Sequence, residues 1–133
     1  CVGFNESGQT GAGVPVSPLK EPTYVKSFDP IRHIVAGYEA SYHLTDTGEA
    51  RSVGGNSHGQ LGLDHKNEIL KPEAMIGGGG ALQVAASRYS ACLLKADGSV
   101  WCTGQNEYGE LGNGDAGPDV VSQKLVPVSG TVP

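Results

Sequence analysis

Basic clusters, long apolar runs and helix-forming stretches are all missing from this sequence of 133 residues. Its nine lysines and arginines are so spread that no two lie closer than five positions. No cationic stripe exists to neutralise a phosphate backbone, and with 14 acidic side chains the formal net charge is −5. Nucleic-acid binding through a basic patch is therefore excluded. No apolar run approaches the ~18 residues of a membrane span. Cys-x-x-Cys does not occur, and no histidine stands at ligand spacing from the later cysteines, which disfavours zinc. The chain starts Cys1-Val2-Gly3, unlike a signal peptide. The expectation is a soluble piece of something longer, already cut at its front end.

Glycine is abundant: 21 of the 133 residues, more than twice the usual ~7%. Eight prolines add further turn signals, while hydrophobic residues at 38% can supply a core. Such a composition favours short strands and tight turns. A search for internal repeats is decisive. Gly3-Phe4-Asn5-Glu6-Ser7-Gly8-Gln9-Thr10-Gly11 is echoed by Gly54-Gly55-Asn56-Ser57-His58-Gly59-Gln60-Leu61-Gly62 and by Gly104-Gln105-Asn106-Glu107-Tyr108-Gly109-Glu110-Leu111-Gly112. The copies stand 51 and 50 residues apart. Three glycines and one asparagine in fixed register arise by chance at about 10⁻⁵ per starting position.

The rest of each period repeats more loosely. Ile34 to Gly37, Ser41 to Leu44, the turn Asp46-Thr47-Gly48 and Ala50 to Val53 precede the second phrase. Val84 to Ala86, Ser90 to Leu94, Ala96-Asp97-Gly98 and Val100 to Cys102 precede the third. Asp97-Gly98 between two apolar runs is a hairpin signal. A fourth strand is expected before each trio, at Pro22 to Val25, Pro72 to Ile76 and Leu125 to Val128, on the outside of each unit because proline tolerates a sheet edge. Four short strands per ~50 residues is the pattern of a propeller blade.

In each phrase the asparagine (Asn5, Asn56, Asn106) reads as a loop staple, its side-chain oxygen accepting from a backbone N–H two residues on. The glycines (Gly3, Gly8, Gly11; Gly54, Gly59, Gly62; Gly104, Gly109, Gly112) permit left-handed backbone or close approach. Leu61 and Leu111, with Thr10 in the first copy, are expected to tuck under the loop. A phosphate-cradling loop would need a helix just downstream, and none follows.

Ser-x-x-Leu, an Asp-Gly turn, a Val-Trp-like strand and then Gly-x-Asn-x-x-Gly-Gln-Leu-Gly, seen in Ser90 to Gly112 and in Ala50 to Gly62, resemble the repeat of the regulator of chromosome condensation family. The resemblance covers nearly the whole chain. It implies an all-β fold: a partial β-propeller, about two complete four-stranded blades plus partial blades at both ends, from a seven-bladed ring. The expected divisions are 1–20 (end of one repeat), 21–70, 71–120, and 121–133 (start of a fourth). Family members include the exchange factor for the GTPase Ran, a plant ultraviolet-B receptor, β-lactamase-inhibiting proteins and propellers within HECT-type ubiquitin ligases. They share the use of propeller faces and loops as protein-binding surfaces. The tryptophan clusters of the photoreceptor are absent, since Trp101 stands alone.

Cys92 and Cys102 flank the Asp97-Gly98 turn. With those two as the turn residues, Leu93 pairs with Cys102 and Cys92 with Thr103, one step out of register and within reach of a disulfide. Cys1 holds the position of Cys102 in its own repeat, with its partner expected ten residues earlier, while Ser52 replaces it in the second repeat. A bonded pair accounts for cysteines present or absent together. Two small buried hydrophobes remain the alternative. The compartment follows: extracytoplasmic or secreted if the pair is oxidised, otherwise cytoplasmic or nuclear. Paired cysteines of this kind are common in secreted relatives of the repeat.

Weaker patterns do not cohere. Ser17-Pro18-Leu19-Lys20 matches a Ser-x-x-Lys nucleophile, but Pro15, Pro18 and Pro22 forbid the helix that chemistry needs. His33, His43, His58 and His65 are scattered; His58 reads as solvated and His43 as a packed core histidine. Asp64 to Glu68 reads as a solvated loop, Gly77 to Gly80 as a flexible connection. Asn5-Glu6-Ser7 is a glycosylation sequon whose asparagine is occupied in its turn. The sequence therefore predicts a protein-interaction scaffold with no catalysis, cofactor or metal, and protein partners. The alternatives are part of a guanine-nucleotide exchange factor for a small GTPase and a structural repeat of a secreted or envelope protein.

Overall fold

The computed structural model describes residues 1–25 and 29–130. Eight strands form two antiparallel sheets of four, each in simple meander order. The first holds β1 (Ile31–Ala36), β2 (Ala40–Thr45), β3 (Ala50–Gly54) and β4 (Ile69–Ala74). The second holds β5 (Ala81–Ala86), β6 (Ser90–Lys95), β7 (Val100–Gln105) and β8 (Val121–Pro127). These are the two blades. Before them, Gly3 bridges Leu19 and the Thr23 N–H donates to the Cys1 carbonyl at 2.8 Å. The bridge repeats the Gly54–Ile69 and Gly104–Ser122 pairs, so residues 1–25 carry the outer part of a preceding blade.

Strand character follows position. Every residue of β2 except Ser41 is buried, because an interior strand of a stacked blade has neighbours on both faces. The edge strand β1 is largely exposed. The blades touch through one apolar cluster in which Tyr42, Leu44 and Leu61 of the first meet Ala81, Ala91 and Leu93 of the second. Burying a leucine or tyrosine fully is worth about 1.5–3 kcal/mol. His43, in β2, is also buried, and burial, aided by the positive amino terminus and Arg51, holds its pKa below the ordinary histidine value.

Three expectations need correction. The fourth strand that precedes each trio in sequence pairs backwards: β4 hydrogen-bonds to β3, and β8 to β7. Each blade therefore takes its outer strand from the opening of the next repeat. These strands run Ile69–Ala74 and Val121–Pro127 rather than Pro72 to Ile76 and Leu125 to Val128, and Pro72 sits mid-strand on an edge where no ladder N–H is required. Residues 22–25 form no strand.

The third correction is register. The Lys95 N–H donates to the Ser99 carbonyl (2.9 Å) and the Gly98 N–H to the Lys95 carbonyl (2.9 Å), which makes a three-residue loop with Gly98 left-handed at φ 85°. The added loop residue moves Cys92 directly opposite Cys102, and the two form a disulfide with Cα atoms 4.1 Å apart. The repeat position is filled in the first blade by Tyr42 opposite Ser52.

Gly54 ends β3 and Gly104 stands one residue before the end of β7, at φ 114° and 108°. A Cβ on either would collide with the backbone of the turn entering the central strand, at Glu39 and Ala40 or at Tyr89 and Ser90. Gly79 has open space around it. Gly104→Ala should cost about 3 kcal/mol or more and Gly79→Ala less than about 0.5 kcal/mol, read from denaturant midpoints.

Candidate protein-interaction face

All three phrases take one conformation. The side chains of Asn5, Asn56 and Asn106 are buried. Their Oδ1 atoms accept from the N–H five residues on, at Thr10 (3.0 Å), Leu61 (3.0 Å) and Leu111 (2.9 Å). Their Nδ2 atoms donate to the carbonyl nine residues on, at Val14 (3.0 Å), His65 (2.7 Å) and Asp115 (2.8 Å). The sequence suggested a bond two residues away. The reach is longer because two turns follow in succession. Gly8, Gly59 and Gly109 donate back to the asparagine carbonyl, and Gly11, Gly62 and Gly112 to the glycine three before, coiling the loop around the amide. Thr10, Leu61 and Leu111 are buried beneath it. One contributor was missed: the side-chain oxygen of Gln9, Gln60 or Glu110 accepts from the N–H two residues earlier. The recurring Gln, Gln, Glu after the middle glycine was its signal.

The first two loops each lie on the following blade. Thr103 Oγ1 donates to the Gly59 carbonyl at 2.8 Å, and the Asp64 N–H to the Gln123 carbonyl at 2.9 Å. A Cβ on Gly59 would stand 2.8 Å from Gln123 Cα. The first loop does the same to β4, where the Gly13 N–H donates to the Leu70 carbonyl at 2.9 Å.

The β1–β2 and β5–β6 turns meet the phrase loops at one end of the blades, tied by Gly55 N–H to the Glu39 carbonyl (2.7 Å) and Gln105 N–H to the Tyr89 carbonyl (2.9 Å). There the Arg88 guanidinium sits over two rings, 4.6 Å from the Tyr38 centroid and 5.0 Å from that of Tyr89. The two tyrosines meet edge to face at 6.2 Å. His58 stacks on Tyr89 at 4.1 Å. Arg88 makes no ion pair with any described residue. His58 also lines a groove of about 520 Å³ with Ser57, Lys66, Gln105, Glu107 and Asp119. Beside it Tyr108 is 83% exposed, its hydroxyl pKa raised by its hydrogen bond to Glu107.

Sequence reasoning placed His58 in solvent and passed over Tyr38, Arg88 and Tyr89. The signal was available: large side chains occupy the tips of equivalent turns one period apart, Tyr38 with Arg88 and Glu39 with Tyr89. Other candidates do not converge. Ser17 Oγ accepts from the Asn5 N–H at 3.0 Å, off any helix, and Cys1 is exposed. Among the described residues no three His, Cys, Asp or Glu side chains group to hold a metal.

Comparison with known proteins agrees with this geometry. The model of the regulator of chromosome condensation (RCC1) repeat matches residues 82–110. The chain is 31% identical to the RCC1-like G exchanging factor-like protein of Mus musculus over 137 aligned positions, covering 97% of this chain and 30% of that protein. The crystal structure of human WBSCR16 superposes with a TM-score of 0.81 at 27% identity, over 96% of this chain and 33% of that one. Saccharomyces cerevisiae Prp20p superposes at 0.83 with 18% identity, over 96% and 33%, which speaks to the fold alone.

Residues 82–110 carry the regulator of chromosome condensation repeat, and nearly the whole chain is similar to RCC1-like proteins. The chain spans a third or less of the length of these relatives.

Within the phrase loop the asparagine makes a sharp test. Asn56→Ala strips the Leu61 N–H and the His65 carbonyl of their partner, at about 1–3 kcal/mol each. The urea midpoint should fall accordingly, whereas Asn67→Ala, exposed on the same loop, should leave it unchanged.

Proposed function

We propose that this RCC1-repeat segment is a non-catalytic protein-interaction scaffold whose recognition surface is the end face carrying Tyr38, His58, Arg88 and Tyr89. The observation that carries the reading is the meeting of these four side chains, from two blades and the loop between them, with an arginine that has no ion-pair partner among the described residues and is ordered by aromatic rings. Tyrosine and arginine are the residues that dominate binding energy at protein interfaces. A relative supports a protein partner, since Prp20p has binding properties towards Gsp1p and histones. The phrase glycines and asparagines serve this surface as scaffold rather than as contacts. Their divisions at residues 20, 70 and 120 follow the sequence period, and the last three residues of the 121–133 portion lie outside the described residues. The Cys92–Cys102 disulfide favours an oxidising, extracytoplasmic setting for the scaffold.

A second reading, part of a guanine-nucleotide exchange factor, is favoured by the name of the mouse relative. The two separate experimentally. A partner found by cross-linking to the natural full chain should bind at least about tenfold more weakly to a Tyr38→Ser/Tyr89→Ser variant with an unchanged melting temperature. Retention of that partner counts against the face, and accelerated nucleotide release from a small GTPase partner replaces the scaffold reading with the exchange-factor one.

A further inference from the structure

The geometry points to a polypeptide segment bearing a carboxylate, followed closely by a cation, as the occupant of this face. The inference rests on the proposed scaffold function and specifies its partner's chemistry. Arg88 is exposed, yet its guanidinium is already ordered by Tyr38 and Tyr89. The guanidinium carbon stands over both rings, and no described residue accepts from its N–H groups, the donors that a carboxylate bonds bidentately. Ordering before binding lowers the entropy lost on association. No carboxylate of the described residues takes that edge.

The neighbouring groove selects the kind of anion. His58 belongs both to the aromatic cluster and to the groove, so the two are continuous. The groove carries Lys66 on the cationic side and Glu107 and Asp119 on the anionic side. A polyanion such as a nucleic acid would be driven off by those carboxylates and by the net charge of −5. A peptide with one carboxylate for Arg88 and one cation for Glu107 and Asp119 meets both signs, and like-charge contact rejects simpler anions.

The test uses nuclear magnetic resonance titration of the 133-residue chain with the peptide acetyl-Gly-Asp-Gly-Lys-Gly-amide, its Asp-to-Asn counterpart, inorganic phosphate and an oligothymidylate. The expected result is saturable perturbation of the Arg88 side-chain N–H and of the Tyr38 and Tyr89 ring signals by the Asp peptide. The Asn peptide, and the Asp peptide on Arg88→Gln, should bind about tenfold more weakly. Arg88 is exposed and makes no hydrogen bond to a described residue, so an unchanged melting curve certifies the variant's fold. Equal affinity for the Asn peptide, tighter binding of phosphate or oligothymidylate, or no saturation by the Asp peptide overturns the inference. A natural partner lost by Tyr38→Ser/Tyr89→Ser but kept by Arg88→Gln also overturns it while leaving the scaffold function standing.

Discussion

An interior strand with no solvent-facing side cannot exist in a lone sheet, and that constraint organises this chain. Tyr42 and Leu44 of β2 are buried although β2 lies in a sheet only four strands wide. Apolar area of this kind must be covered by another blade, and the core cluster shows the second sheet doing so. The period near fifty residues follows, because each copy must both present a face and cover its neighbour's.

Stacking sheets leaves the problem of how one blade is joined to the next without exposing the seam. The phrase loop answers it with a buried amide. Each asparagine fixes both ends of a ten-residue excursion, so a leucine or threonine points beneath the loop, and in the first two copies the glycine backbone lies against the following outer strand. Thr103 completes the seam by bonding the carbonyl of Gly59. Side chains on the glycines would hold the blades apart. The same ties bring the β1–β2 and β5–β6 turn tips alongside the loops, which places Tyr38, His58, Arg88 and Tyr89 together. The proposed recognition face thus rides on the packing solution.

Much of this was readable in the residues, and the parts that were not share a cause. Repetition exposed the blades and the loop asparagines, because each recurs at a fixed offset in one dimension, and the cysteine pair was legible from the single turn it flanks. Strand phase was missed because nothing local says whether residues 69–74 pair forwards or backwards; that is decided by the turn after Gly54. The hairpin register slipped by one because Asp-Gly fits two-residue and three-residue loops alike, and only the Lys95–Ser99 bond discriminates. The aromatic–arginine cluster was hidden for a deeper reason. Its members lie up to 51 positions apart and meet only once two blades stack.

The central claim is that the blades are stable through one another. Native-state hydrogen exchange on a Leu61→Ala variant tests it directly, because Leu61 belongs to the loop of the first blade and sits in the shared cluster. The account predicts that amides of β6 and β7 in the second blade lose protection together with those of β2 and β3. Protection of β6 and β7 left at the wild-type level, with only the first blade loosened, would contradict it.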